Sequence, residues 1–186
     1  KLTEEQGAVV LRLQGIDALE THYSAAPLPT PQDVVGLTSS SLTRPANPSF
    51  GQLSTLALWS AEKLLEMIGV TQVRWRSLFG GSKYINEARI ANGENSIVVK
   101  NKWEDQIPGY IVTGDVELNG RPIAWAFPGT TTLADGLTMT SQDLAAILDQ
   151  SLNYQLLRRG LVYPYYFMTL SSSLRQRLIA AVQEAQ

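Results

Sequence analysis

The sequence predicts an α+β domain, a mostly antiparallel β-barrel with two or three helices packed around it. Three observations carry this reading. Short alternating or β-branched segments come mainly before the helical ones, leucines recur at steps of three or four in the helical stretches, and glycine-containing turn pairs separate the elements. At 186 residues the chain fits a single domain with a sizeable core.

Residues 8–16, AVVLRLQGI, read as a strand in which Leu11 and Leu13 face opposite to Arg12 and Gln14, and Gly15 opens a turn. From Pro27 to Pro48 the Pro-, Ser- and Thr-rich chain predicts a long surface loop. Leu53, Ala57, Ala61, Leu64 and Ile68 mark one helical face over residues 51–68, with Gly69 placed as a C-terminal cap. Val73, Trp75 and Ser77 alternate with Arg74 and Arg76, a strand with one wet face. The stretch from Phe79 to Gly109 carries the turn signals Gly80-Gly81 and Asn92-Gly93 and a short apolar run at Ile97–Val99, a strand or hairpin inserted between larger elements. Tyr110–Leu118 and Pro122–Phe127 are strands joined by the turn pair Asn119-Gly120. Ser141 suits an N-cap for a helix that carries Leu144, Leu148, Leu152 and Leu156 and finishes at Arg158, Arg159 and Gly160. A last helix from about Ser172 places Leu174, Leu178, Ile179 and Val182 on one side.

Composition narrows the chemistry. With no Cys and a single His, His22, disulfides, thiolate zinc sites, a Cys nucleophile and a His-rich metal site are all excluded. Any reaction must use carboxylates, Arg, Lys and Tyr. A net charge of −2 argues against a generally basic nucleic-acid coat but leaves room for a local cationic groove. No apolar run is long enough to span a membrane.

The informative cluster is Arg12, Asp17 and Glu20 in LRLQGIDALET, a cation leaving a strand followed by two carboxylates in the next turn. On spacing alone, a turn capped by Asp17 with a solvated Arg12–Glu20 pair is the better explanation. His22 reads as an exposed loop residue, Lys100, Lys102 and Trp103 as a solvated hairpin tip, and Asn153 as a residue that hydrogen-bonds backbone near the loop of the acidic pair.

LRLQGIDALETHY resembles the strand and loop of the staphylococcal-nuclease (thermonuclease) family, where members read roughly R-L-x-x-I/V-D-x-P-E-T. NGRPIAW resembles the family's Y-G-R-x-L-A segment, LNYQLLRRGLVYPYY its V-N-x-x-L-V-x-x-G-L-A helix end and following strand, and FGQLST more distantly its Y-G-x-E-A. All four occur in the family's order. The resemblance implies an OB-fold, a five-stranded barrel with about three flanking helices, here in one domain with insertions around 78–110 and 128–146.

It also implies a function, a calcium-dependent nuclease that hydrolyses DNA and/or RNA with low sequence specificity. Attack would come from water, and cleavage on the 5′-oxygen side would leave 3′-phosphate ends. Carried over residue by residue, Arg12 and Arg121 match the catalytic arginines, Glu20 the general base, Asp17 a Ca²⁺-ligating carboxylate, and Ala18 a position that offers only its carbonyl. Tyr163, Tyr165 and Tyr166 are the candidates for stacking on a nucleotide. The chain departs from the pattern at Leu19, where the family has Pro, and at Asn119, where it has Tyr. A further calcium-ligating Asp of the family would fall just upstream of Lys1. The alternative from another class is a catalytically weak domain of this fold that binds nucleic acid or a protein. A monomer is expected, and the compartment is left open between secreted or periplasmic residence and others.

Overall fold

Leucine spacing predicts three helices; the described residues contain four, because one of them breaks. The computed structural model describes residues 4–5, 8–19, 54–77, 83–92, 95–100 and 107–185. Helix α1, Ser54–Met67, stops where Gly69 adopts a φ of +93°. The helix expected from Ser141 to Gly160 is instead α2, Ser141–Ile147, one 3₁₀ turn, Leu148–Gln150, and α3, Leu152–Arg158.

Ser151 is the reason for the break. Its backbone is extended (φ −71°, ψ 145°), and its hydroxyl accepts from Tyr154 N at 3.2 Å while donating to Leu148 O at 2.6 Å. A serine that serves both flanking turns in this way competes with continuous helix. Leu144, Leu148, Leu152 and Leu156 still reach the core. The cap of α2 is Thr140 rather than Ser141, since Thr140 and Asp143 complete a reciprocal capping box. Helix α4, Ser172–Glu184, buries Leu174, Leu178 and Ala181, whereas Ile179, expected on that face, points outward.

The segment expected as one strand over 8–16 is divided. Strand β1, Glu4–Glu5, pairs with β2, Ala8–Val9; β3 is Arg12–Leu13 and β4 is Ile16–Asp17. Gln14 is buried rather than wet, because Gly15, at φ +78°, turns the chain beneath α4 and draws Gln14 inward. β5, Val70–Ser77, β6, Lys83–Asn92, and β7, Asn95–Lys100, form an antiparallel sheet, so the stretch after β5 supplies two strands that extend it. β8, Gly109–Val116, runs antiparallel to β9, Pro122–Pro128, and β9 runs parallel to β3. β10, Tyr163–Pro164, pairs with β4.

The architecture is therefore mixed α+β, with four helices and several sheets among the described residues, none of them closed into a barrel. The main core lies between β9 and helices α2 to α4, where Trp125, Phe127, Leu148, Leu157, Leu161 and Leu178 meet. A smaller one, Val70, Ala88 and Ile90, sits between α1 and the β5–β6–β7 sheet. The expected 27–48 loop, Glu20, His22, Gly80-Gly81, Lys102 and Trp103 lie outside the described residues.

Candidate active site

The turn at Gln14-Gly15 separates β3 from β4 by so short a path that their first and last residues, Arg12 and Asp17, come within reach of each other. Arg12 Nη2 donates to Asp17 Oδ1 at 2.8 Å, in a pair whose side chains are 24% and 44% exposed. A pair this wet adds little to stability, about 0–1 kcal/mol; its interest is chemical. The backbone on the far side of Asp17 belongs to β10, where Tyr163 stands opposite Asp17. Tyr165 N donates to Gly15 O at 3.1 Å, and this brings the Tyr165 ring under the Arg12 guanidinium at 5.4 Å, a cation–π contact. Phe167 meets Tyr165 edge to face at 5.1 Å and fixes its plane.

Arg121 arrives from another part of the chain. The Asn119-Gly120 turn is closed by Gly120 N to Glu117 O at 2.9 Å and by Glu117 N to Arg121 O at 3.0 Å. Across the ladder Arg12 is registered with Ile123, which places Arg121 just before its partner strand begins. The Arg121 Nε–H donates to Glu117 Oε1. That bond holds the Glu117 carboxyl below its ordinary 4.5, with Arg12 and the Asn119 side chain pulling the same way, and it raises Arg121 above its ordinary value. The register of Arg12 with Ile123 puts the two arginines on neighbouring stretches of one sheet.

Of the residues expected at the site, Arg12, Asp17, Tyr163 and Tyr165 adjoin one another, and Arg121 lies two residues before Ile123, the ladder partner of Arg12. Ala18 follows Asp17 and is exposed, while Leu19 is buried. Tyr163 and Tyr165 are about half exposed, whereas Tyr166 turns its ring onto the main core, where burial raises its phenol above the ordinary value against the pull of Arg175. Glu20 lies outside the described residues. Glu117 was missed in the sequence, although a carboxylate and a guanidinium flanking an Asn-Gly turn were the available signal.

Asn153 supports this turn from below. Fully buried, it donates from Nδ2 to Gln14 O at 2.8 Å and to Ala124 O at 3.0 Å, and its Oδ1 accepts from Ala126 N at 3.0 Å. Gln14 N donates directly to Ala124 O at 2.8 Å, the last direct rung between this segment and β9. In a continued parallel ladder Ala126 N would reach Gln14 O next. The carboxamide takes that place where the chains part, and it holds open the turn that aims Arg12 and Asp17.

The half-exposed Asp17 carboxylate is a hard oxygen donor of the kind Ca²⁺ takes together with water, and its Oδ1 already accepts from Arg12. Among the described residues no three acidic, His or Cys side chains converge. Comparison with known proteins gives no match to a family model, to a curated protein or to a solved structure. Among the described residues no helix is long and apolar enough to cross a membrane.

Proposed function

We propose that the chain is a calcium-dependent nuclease of the staphylococcal-nuclease type, hydrolysing phosphodiester bonds of DNA and/or RNA with little sequence specificity. The observation that supports it is the approach of Arg12 and Arg121, distant in the chain, along the parallel β3–β9 pairing, with Asp17 and two exposed tyrosines beside them. The fold behind this reading is the five-stranded OB barrel, of which the β3–β9–β8 sheet and the β4–β10 pair would be parts.

In this reading, cleavage gathers negative charge on the phosphoryl oxygens, and two guanidiniums that fork onto those oxygens stabilise the transition state more than the ground state. Glu20 accepts a proton from the attacking water. Tyr163 and Tyr165 offer stacking faces to the flanking bases. Asp17 and the Ala18 carbonyl would hold calcium, which when bound polarises the phosphoryl group and helps to place water.

Glu20→Gln and Arg121→Ala should each lower calcium-supported hydrolysis of a single-stranded oligonucleotide by about a hundredfold or more, with the circular dichroism spectrum and melting curve retained. Unchanged turnover in both variants refutes the assignment. The second reading, a domain that binds nucleic acid or protein without cleaving, is favoured by one observation: both arginines already carry carboxylate partners. It predicts oligonucleotide or protein binding by a chain that leaves the oligonucleotide intact.

A further inference from the structure

We propose that Glu117 is the positioning residue of this anion site, holding the Nε edge of the Arg121 guanidinium so that its Nη edge is presented, beside Arg12, to a phosphodiester. This rests on the nuclease reading of the same site. Three features of the hairpin carry it. The two hydrogen bonds that close the Asn119-Gly120 turn lock the Glu117 and Arg121 backbones together, so the distance between their Cα atoms is set before any ligand arrives.

The ion pair is made through Nε alone. A guanidinium has five N–H donors in a fixed plane, and engaging the Nε leaves both Nη groups able to fork onto two phosphoryl oxygens. Glu117 is also the more buried partner, 15% exposed against 31% for Arg121, so the guanidinium is the more open of the two to an incoming anion. A free arginine at a loop would have to surrender much rotamer freedom on meeting a phosphate; one already docked on Glu117 has surrendered most of it. The carboxylate repels phosphate, and this opposing effect gives the proposal its signature. Removing Glu117 should help binding while harming alignment.

The experiment uses the whole chain with Glu117→Ala and Glu117→Gln, the latter keeping the acceptor oxygen without the charge. Kinetics on a single-stranded oligonucleotide with calcium are expected to show kcat lowered about tenfold or more in Glu117→Ala with KM unchanged or reduced, and kcat largely restored in Glu117→Gln. Independently of turnover, the Arg121 Nε–H resonance should be protected from exchange in the wild type and in Glu117→Gln and lose protection in Glu117→Ala. A titration with inorganic phosphate should shift the Arg12 and Arg121 side-chain resonances. Equal exchange of the Arg121 Nε–H in wild type and Glu117→Ala, or equal kcat in both, overturns the positioning role. A wild type that does not cleave, yet shows Glu117-dependent protection and a phosphate response at both arginines, overturns the nuclease reading and leaves the positioning of an anion site standing.

Discussion

Replacing Asn153 with Ala should destabilise the fold by about 2–6 kcal/mol, and the structure says why. Of the three backbone groups bonded by its carboxamide, Ala124 O keeps a second partner in Gln14 N at 2.8 Å, but Gln14 O and Ala126 N lose the partner that replaces their ladder bond. Each interior polar group left unpaired costs about 1–3 kcal/mol, and two of them give the range above. Against a total stability of roughly 5–15 kcal/mol this is a large fraction, and in a chain of this size it corresponds to a melting point lower on the order of 10 °C. Urea unfolding followed by tryptophan fluorescence measures it.

Asn153→Asp separates the donor from the acceptor. The Ala126 N–H keeps an oxygen, but the introduced carboxylate faces the Gln14 and Ala124 carbonyls. Burial and those acceptors raise its folded-state pKa above the unfolded value of about 3.9, so ionisation opposes folding. The stability deficit relative to wild type should therefore be largest at neutral pH and narrow as the pH falls through the raised value. An Asn153→Ala variant within about 0.5 kcal/mol of wild type, or an Asn153→Asp deficit that widens on acidification, would show that the carboxamide does not bridge the parting strands.

Gly15→Ala should be destabilising by about 2–4 kcal/mol, because it adds a left-handed backbone cost to overpacking in the core. The added Cβ would stand 2.6 Å from Cδ1 of the fully buried Leu178, at a φ of +78°. Gly69→Ala, at φ +93° with open space around it, isolates the backbone part and should cost about 1–2 kcal/mol; equal unfolding midpoints for the two variants would remove the steric argument. Thr140→Ala should lower stability by about 1 kcal/mol through loss of the α2 cap. Hydrogen bonds from Thr140 hold the Asp143 carboxyl below its ordinary 3.8, so their contribution is present above that value and is lost as the pH falls through the folded pKa. In Thr140→Ala, an Asp143 titration followed by NMR should move back up toward 3.8, and an unmoved midpoint would contradict the capping box.

Much of the local structure was legible in the chain. Helices α1 and α4 follow from apolar steps of three and four, and the turns at Gly15, Gly69, Gly120 and Gly160 all carry positive φ where the sequence put a glycine. Spacing suggested a partner for Arg12 in Glu20, with Asp17 capping the turn; in the structure Arg12 donates to Asp17 itself, because a two-residue turn leaves their side chains little room to part. Such features depend on interactions within a few residues, whose geometry is the same in any fold.

What tertiary structure alone decided depends on which distant backbone answers a given polar group or buries a given face. The leucines at 144, 148, 152 and 156 have the spacing of one helix, yet Ser151 divides it, and the core accepts the same leucines from two shorter helices and a 3₁₀ turn. Gln14 alternates as an exposed residue would but is buried by the turn under α4. The placement of Arg121 two residues before the ladder partner of Arg12 required the parallel register of β3 on β9, and the Glu117–Arg121 ion pair required the hairpin to close. Strand register is set by side chains that must share one buried face and by backbone groups that must all find partners, and neither condition can be read from a segment in isolation.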